Sequence, residues 1–395
     1  MRKDLVVLVV FQNAVMASVH AGVFPSILTT LRQDFSLTNR EVAELVALYD
    51  VFQIWGSLGA CRMSQSVGYV RSFAVSAVFS LVGAGVYCIS SSFAALVIAE
   101  VSLGIGSSGV VVLTPPFLTL LARSNHGGGF LVGLSYAACS VGVVVAYVAV
   151  FLFSASNWRC VFASLALLFG LCAGGFAAVE SPVLAEEESL GPSSVMGSLG
   201  EMCDVACHGA VMLTILSAAE SGLALSSLIN FGPMFLQETF NETPEGSSML
   251  MALVVPCSAG GFLASGYVLR ASQAGPFRIL QGIVGALCLG CACMSCLFFQ
   301  SIWMFMPVVC LAVAALFGAS VPLIMLLSHL LPKSHVDAAN ALSNVFGRIG
   351  GAIGPVILGA LLDWNALGFR VSFALVCCLP TFIAAYLAVR VQDLL

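Results

Sequence analysis

Residues 180–204, ESPVLAEEESLGPSSVMGSLGEMCD, are the one long polar segment in a chain of 395 residues that is otherwise apolar. The segment carries six carboxylates and no lysine or arginine, and glycine, proline and serine interrupt it. Hydrophobic sequence of similar length lies on either side. Because this composition is typical of a solvated linker, we predict two apolar halves, residues 1–179 and 205–395, joined by an acidic linker at 180–204.

The flanking halves have the composition of a membrane protein. Hydrophobic residues make up 60% of the chain and charged residues 8%, and the mean hydropathy is +1.05, whereas soluble chains carry about 25% charged residues. Apolar runs of about 20 residues recur, and each is long enough to cross a hydrocarbon core of about 30 Å as a helix. The runs do not alternate with a period of two, so we predict an all-α polytopic membrane protein rather than a barrel.

Polar breaks divide the chain into twelve predicted spans, six in each half. Those of the first half cover about residues 5–31, 42–61, 72–91, 93–121, 130–153 and 159–179. Those of the second half cover about residues 205–237, 246–268, 278–299, 302–331, 337–362 and 370–390. Only three serines, at 90–92, separate the third span from the fourth, which predicts a tight hairpin. Gly232-Pro233 predicts an end or a kink in the seventh span.

The placement of lysine and arginine predicts the orientation. With the N-terminus inside, nine basic residues fall on the inner side and four on the outer side, and Arg348 falls within a span. Such an excess marks the cytoplasmic side under the positive-inside rule. We therefore expect both termini in the cytoplasm and a location in the plasma (inner) membrane.

The two halves repeat one another at a shift of about 207 residues. The matched pairs are Pro25 with Pro233, Gly59 with Gly266, Gly68 with Gly275, Arg71 with Arg278, Gly142 with Gly350 and, after a slip of three residues, Arg159 with Arg370. These matches keep their order and a nearly constant spacing, which chance would rarely give. Two six-helix halves in parallel repeat are a layout used by secondary transporters.

Two short motifs carry a resemblance to a known family. The loop after the second span ends with Gly68 and Arg71, as in the pattern G-x-x-x-D-R/K-x-G-x-R/K, while Gln65 and Ser66 replace the acid and the base. In the fourth span Glu100 replaces the arginine of R-x-x-x-G-x-G, whose glycines are kept. On these motifs, and on a glycine-rich eleventh span, the chain resembles the major facilitator superfamily over essentially its whole length.

The resemblance implies a fold of two six-helix halves that carry a solute across a membrane. It also implies that the loops after the second and eighth spans act in gating. The loop residues concerned are Gly68, Arg71, Gly275 and Arg278. In that family the acid of the first loop helps to latch the halves together, so the resemblance implies a latch that here lacks its usual acid.

Ionisable side chains inside the predicted spans are candidate site residues, because a charge at the centre of a span costs about 2.5–3.5 kcal/mol on insertion scales. Polar neighbours at helical spacing join them. The candidates are Asn13, His20, Asp50, Glu100, Glu220, Asn344 and Arg348. Helix packing is the competing interpretation for the uncharged members, since small and polar residues also line helix contacts in membranes.

Two roles are expected of these candidates. Arg348, His20, Asn344 and Asn13 are expected to bind substrate, and Glu100, Glu220 and Asp50 to couple protons. A desolvated carboxyl can take and release a proton near neutral pH, as a proton-coupled carrier requires. The guanidinium of Arg348 cannot deprotonate, so we expect it to face Glu220 or an anionic group of the substrate.

Four of the fifteen cysteines, Cys288, Cys291, Cys293 and Cys296, imitate the paired spacing of a zinc site. On a helix these positions point around most of the circumference and cannot converge on one ion. We therefore predict no metal site, because free cysteine in an apolar run behaves as a small hydrophobe.

Together these features predict a secondary transporter that moves a small organic solute by alternating access, coupled to protons. Its expected partners are that solute, protons and the lipid bilayer; we expect a monomer without a cofactor and without nucleic acid. The alternatives are a transporter-like sensor that binds without net transport, a facilitative uniporter and a drug exporter. An intramembrane enzyme would need a nucleophile–base pair or a metal constellation, and neither motif occurs in a span.

Overall fold

The helices of the computed structural model follow the predicted spans. It describes residues 3–121, 128–153, 155–179, 204–205, 207–272, 276–331, 333–364 and 367–392. In the first half the helices are α1 (Lys3–Ser18, Val19–Val23 and Phe24–Asp34), α2 (Asn39–Val67), α3 (Tyr69–Ile89), α4 (Phe93–Leu121), α5 (Gly128–Phe153) and α6 (Trp158–Ala178). In the second half they are α7 (Gly209–Phe240), α8 (Pro244–Ser272), α9 (Pro276–Met294), α10 (Ile302–Leu330), α11 (Lys333–Trp364) and α12 (Gly368–Gln392).

The predicted all-α membrane fold is confirmed. Eleven of these helices are long and apolar enough to cross a membrane, counted over the described residues. The remaining one, α2, is a helix of 29 residues that extends beyond the predicted span at both ends. A capping box explains its start: the hydroxyl of Thr38 accepts a hydrogen bond from the Glu41 amide at 3.1 Å, and the Glu41 carboxylate accepts one from the Thr38 amide at 2.8 Å.

Gly68 alone joins α2 to α3. Its backbone has φ 85° and ψ 165°, a region that is essentially closed to residues with a side chain. The Gly68 amide donates to the carbonyl of Ser64 at 3.1 Å, and its own carbonyl accepts from the amide of Ser72 at 3.2 Å. One glycine therefore ends one membrane helix and begins the next.

The sequence predicted an end or a kink of the seventh span at Gly232-Pro233, and the helix does not end there. Helix α7 continues through Pro233 to Phe240 and is followed by Asn241 in the left-handed conformation, with φ 58°. An interior proline costs a helix about 3 kcal/mol. Packing offsets that cost, because Phe235 is buried and stacks on Phe373 with the ring centres 4.8 Å apart.

Helix α1 contains a π-helical turn at Val19–Val23. Such turns are rare and frequently occur at functional sites. His20 lies in this turn, and Gly22 in the same turn packs against α5, where an added Cβ would meet the side chain of Ala146. The π-helical turn thus lies where α1 packs closely against α5 and where α1 carries its histidine.

The chain forms two compact units, Met1–Pro192 with Thr243–Ala252, and Ser193–Glu242 with Leu253–Leu395. In the first unit α4 packs against α2 and α3, α6 against α3, and α5 against α1. In the second unit α7 packs against α11 and α12, and α9 against α10 and α12. The acidic linker predicted at 180–204 falls, except for Asp204, outside the described residues.

Residues matched by the repeat make matching contacts in the two units. Gly142 of α5 lies against the carbonyl oxygen of Ala14 in α1, and Gly350 of α11 lies against that of Ala219 in α7. An added Cβ at either glycine would clash with that oxygen. The first and fifth helices of each half therefore pack backbone against backbone, as small residues permit in membranes.

The matched arginines behave in the same way. Arg159 at the start of α6 donates to the carbonyl of Ser90, just after α3, at 3.1 Å. Arg370 at the start of α12 donates to the carbonyl of Phe298, just after α9, at 3.4 Å. Each arginine ties the last helix of its half to the exposed carbonyl end of the third helix.

Candidate functional site

Glu100 of α4 and Tyr87 of α3 form the centre of a buried polar cluster in the first half. The Tyr87 hydroxyl donates to Oε1 of Glu100 at 2.5 Å. Their relative exposures are 2% for Glu100 and 0% for Tyr87. The second carboxyl oxygen, Oε2, is buried and has no hydrogen-bond partner among the described residues. A carboxyl in a membrane span is thus held by one phenol and keeps one oxygen unused.

Glycines bring three helices together around Glu100. A Cβ added at Gly104, one turn after Glu100, would lie 2.6 Å from the carbonyl oxygen of Tyr49 in α2. One added at Gly83 of α3 would lie 2.8 Å from the carbonyl oxygen of Ala99 in α4. Gly104, the first glycine of the motif that begins at Glu100, therefore lets α4 pack closely against α2. This close packing encloses the carboxyl between α2 and α3.

Helix α2 supplies two more polar side chains to the cluster, one turn apart. Asp50 is 1% exposed and Gln53 is 2% exposed. Asp50 lies within electrostatic range of Glu100. Neither the nitrogen nor the oxygen of the Gln53 carboxamide has a hydrogen-bond partner in the described part of the chain. Buried polar groups are normally satisfied, so these atoms are the ones that a water or a ligand would satisfy.

Aromatic rings enclose the phenol of Tyr87. The ring of Phe162 in α6 stacks on it at 4.2 Å between centres, and Trp158 meets it edge to face at 6.4 Å. The Trp158 indole nitrogen donates to the Asp34 carboxylate at 3.0 Å, at the end of α1. This packing fixes the Tyr87 ring, and a fixed ring fixes the position of the hydroxyl that holds Glu100.

His20 reaches the same region from α1. Its imidazole stacks on the ring of Tyr49, with the centres 3.6 Å apart and the planes 7° from parallel. Tyr49 immediately precedes Asp50 and borders Gly104. The structure therefore brings three of the predicted site residues, His20, Asp50 and Glu100, into one neighbourhood of α1, α2 and α4.

Asn13 lies elsewhere on α1 and makes a packing contact. Its side-chain nitrogen donates to the hydroxyl of Ser135 in α5 at 2.5 Å, and its backbone oxygen accepts from the thiol of Cys139 at 3.8 Å. Asn13 is 8% exposed. In this structure Asn13 joins α1 to α5, and its predicted role in substrate binding stays a prediction.

The second half carries the other candidates on the contact between α7 and α11. A Cβ added at Gly222 would lie 2.7 Å from the carbonyl oxygen of Gly347. Glu220 lies two residues before Gly222, Arg348 directly follows Gly347, and both charged residues are half-buried. Asn344, one turn before Arg348, is exposed. The glycine contact brings the two charged helices together, and the pairing of Glu220 with Arg348 stays a prediction.

Hydroxyl and amide groups follow the same contact further along α7. Ser226 donates to the carbonyl of Gly351 in α11 at 2.9 Å. Asn230 donates to the Ser226 hydroxyl at 3.2 Å, and its own side-chain oxygen is buried without a hydrogen-bond partner among the described residues. This part of α7 therefore offers buried hydrogen-bonding groups along its contact with α11.

The expected gating residues lie at helix junctions. Gly68 is the junction of α2 and α3, and Arg71 and Arg278 are exposed in the first turns of α3 and α9. Gly275 falls outside the described residues. The positive φ of Gly68 shows why the motif has glycine there, and the role of these residues in gating stays a prediction.

Sequence reasoning missed Tyr87, which is the direct partner of Glu100. Its neighbours in sequence are apolar or small, and its partner lies thirteen residues away on another helix. One signal was available, because a buried tyrosine usually finds a hydrogen-bond partner for its hydroxyl. A tyrosine near the end of one span and a glutamate near the start of the next are suited to such a pair across a tight hairpin.

Comparison with known proteins agrees with this architecture. The Major Facilitator Superfamily family model matches residues 6–355. The plant protein named Probable polyol transporter 4, from Arabidopsis thaliana, is 25% identical over 169 residues, which cover 40% of this chain and 32% of the relative. Probable polyol transporter 3 of the same plant is 25% identical over 159 residues, covering 38% and 31%. The match thus spans about a third of the length of these curated relatives.

Solved structures resemble the chain along its whole length. The nucleoside transporter NupG superposes with a TM-score of 0.78 at 11% identity and covers 100% of this chain and 99% of its own. A D-xylose–proton symporter superposes with a TM-score of 0.73 at 14% identity and covers 96% of each chain. At these identities the likeness establishes the fold.

Proposed function

Because the chain belongs to the major facilitator superfamily, a family of multi-pass membrane transporters rather than of enzymes, we propose that it is a proton-coupled secondary transporter of a neutral, polyhydroxylated small solute. It works by alternating access between the two sides of the membrane. Glu100 carries the coupling proton, and Glu220 and Asp50 contribute carboxyls of their own. His20, Asn344 and Arg348 take part in substrate binding.

The observation that carries proton coupling is the buried carboxyl of Glu100. It lies inside a membrane span, accepts a hydrogen bond from Tyr87 and is within electrostatic range of the second buried acid of the cluster, Asp50. A buried acid in a span is a site at which a proton can bind and leave as access changes. The printed name of one structural neighbour, a D-xylose–proton symporter, supports the same coupling here.

The substrate class rests on what the relatives share. Polyols, nucleosides and D-xylose, which the relatives' names give as their substrates, are small neutral molecules with several hydroxyl groups. Such molecules are recognised by hydrogen-bonding side chains. The carboxamide of Gln53 and the side-chain oxygen of Asn230, which have no hydrogen-bond partner among the described residues, are groups of that kind, one in each half.

Uptake into proteoliposomes tests this proposal. Purified protein is reconstituted, an inward proton gradient is imposed, and uptake of a labelled polyol, pentose or nucleoside is measured. We expect at least one solute to accumulate above its external concentration, and a protonophore to abolish that accumulation. Gradient-independent equilibration of every solute that enters would identify a facilitative uniporter. Specific binding without any net uptake would identify a sensor, and either result would overturn the proposal.

A further inference from the structure

We propose that Cys257 of α8 and Cys310 of α10 form a redox-reactive thiol pair that closes to a disulfide within the second half. The thiol of Cys310 lies within hydrogen-bonding range of the Cys257 sulfur, on helices that also meet at a glycine contact. Both cysteines are free and half-buried. The thiol of Cys257 is directed to the carbonyl of Leu253, at 3.8 Å, so its sulfur is left to accept from Cys310. Two sulfurs within hydrogen-bonding range of one another need little motion to become bonded.

The helix contact places the two cysteines side by side. One turn after Cys257, Gly261 lies against the carbonyl oxygen of Ala314, which is itself one turn after Cys310. The rings of Phe262 and Phe317 then meet edge to face, 5.3 Å between centres. Successive contacts advance together along both helices, so the helices run in the same direction and in register. The pair therefore occupies one level of a closely packed contact.

This closeness is what a disulfide demands. A disulfide needs Cα atoms about 4.4–6.8 Å apart and Cβ atoms about 3.5–4.5 Å apart. Helices that approach through a glycine come nearer than helices separated by large side chains. Gly318, one turn after Ala314, repeats the approach, since its added Cβ would lie 3.4 Å from the carbonyl oxygen of Gly261. Two glycine contacts thus hold α8 close to α10 beside the cysteines.

Other thiols, such as Cys88 with Cys160 and Cys291 with Cys378, lie within electrostatic range of one another, whereas Cys257 and Cys310 are also within hydrogen-bonding range. The hydrogen bonds that they donate to neighbouring helices go to backbone carbonyls, at 3.8 Å from Cys139 to Asn13, 3.9 Å from Cys291 to Cys378 and 3.9 Å from Cys377 to Ala224. A thiol that is bonded to a backbone carbonyl has no second sulfur at that contact with which to form a disulfide. The contact of thiol with thiol at Cys257 and Cys310 is therefore the feature that points to a reaction.

The reaction is thiol–disulfide exchange with a small-molecule disulfide. One cysteine, as its thiolate, attacks a sulfur of that oxidant and releases one small thiol, leaving a mixed disulfide on the protein. The second cysteine then attacks the protein sulfur of this mixed disulfide and releases the second small thiol. The cysteines lose two electrons and two protons in total, and the oxidant is reduced to two thiols.

Mass spectrometry of the full chain tests the pair. Purified protein is treated with dithiodipyridine, a membrane-permeant disulfide, and digested without reductant. We expect a peptide in which residue 257 is linked to residue 310, which disappears after reduction. Cys257→Ser and Cys310→Ser should each abolish the linked peptide. Cys293→Ser, a buried cysteine of α9, is the matched control and should leave it intact.

Exposed Cys160 and Cys207 show whether the oxidant has acted. If they are modified while no peptide links residues 257 and 310, the proposal is overturned. A linked peptide that instead joins either cysteine to a third one in the unsubstituted protein would overturn it as well. Because the measurement is made on wild-type protein, misfolding of a serine variant cannot hide the result. The outcome is also independent of whether the protein transports a solute.

Discussion

At the residue scale, the cluster around Glu100 shows how a buried acid is held by a phenol, with no basic side chain bonded to it among the residues that the structure describes. The contact that the structure gives its carboxyl is the hydroxyl of Tyr87, and aromatic rings hold that hydroxyl in place. A hydrogen bond to a charged group stabilises it by about 1.5–3 kcal/mol. This is strong enough to position Glu100 and weak enough to break when the carboxyl exchanges its proton.

The Tyr87 hydroxyl is therefore expected to matter for coupling. Tyr87→Phe removes the one hydrogen bond while keeping the ring in its aromatic surroundings, so proton-driven accumulation should fall several-fold. Tyr147→Phe is the control, because Tyr147 is equally buried and its hydroxyl has no hydrogen-bond partner among the described residues. Uptake by the two variants should be compared in proteoliposomes. Equal accumulation by both would remove Tyr87 from the coupling site.

Arg348 is expected to bind substrate. Arg348→Ala should fold and insert but lose at least about tenfold in substrate affinity, or about 1.4 kcal/mol, because the guanidinium presents several N–H donors to the hydroxyl groups of the solute. Arg40→Ala is the control, since Arg40 is exposed and pairs with Glu44 at the surface. Binding is measured by the thermal shift that a solute induces in each purified variant. Unchanged affinity in Arg348→Ala would place this residue outside the site.

At the scale of the helices, small residues decide which elements meet. Gly104 brings α4 onto α2, and Gly222 lies against Gly347 where α7 meets α11. The family-like motif after Glu100 is thus a packing device that also positions the acid beside α2. Gly104 packs α4 against α2, as predicted for a glycine in a span. The same contact encloses Glu100, whose functional role stays a prediction.

A pair of glycine substitutions tests this contact. In Gly104→Ala the added methyl group meets the Tyr49 carbonyl oxygen, 2.6 Å away, and overpacking of this kind costs about 1–3 kcal/mol. At Gly85 of α3 an added Cβ would meet nothing within 4 Å, and alanine favours a helix by up to about 1 kcal/mol. Gly104→Ala should therefore lower Tm and Gly85→Ala should not. The reverse order would contradict the packing described here.

Helix positions were largely predictable from the sequence, because hydrophobic length and polar breaks are local signals. The hairpin at residues 90–92 lies where the sequence placed it, between Ile89 and Phe93. The bond from Tyr87 to Glu100 was not predictable, because the facing of two helices depends on contacts that no single helix encodes. Of the two outcomes that the sequence allowed at Pro233, an end does not occur, since tertiary packing outweighs a local helix-breaking signal.

At the scale of the whole molecule, the orientation in the membrane follows from charge placement and stays a prediction. We expect the protein to lie in the plasma (inner) membrane, with both termini and the linker at 180–204 on the cytoplasmic side. In a cysteine-depleted background, Ser193→Cys should react with an impermeant maleimide only after the cells are opened. Ser91→Cys, in the short loop between α3 and α4, should react from outside. Labelling of residue 193 in intact cells would contradict the orientation.

Glu100→Gln in proteoliposomes tests most directly the claim that a buried acid couples solute movement to protons. The amide keeps the size of the side chain and the bond to Tyr87 but cannot carry a proton on and off. Exchange of labelled for unlabelled solute needs no net proton transfer, so we predict that exchange persists while accumulation along a proton gradient is lost. Glu44→Gln, at an exposed acid of α2, should retain both activities. Accumulation by Glu100→Gln at the level of the unsubstituted protein would contradict the account.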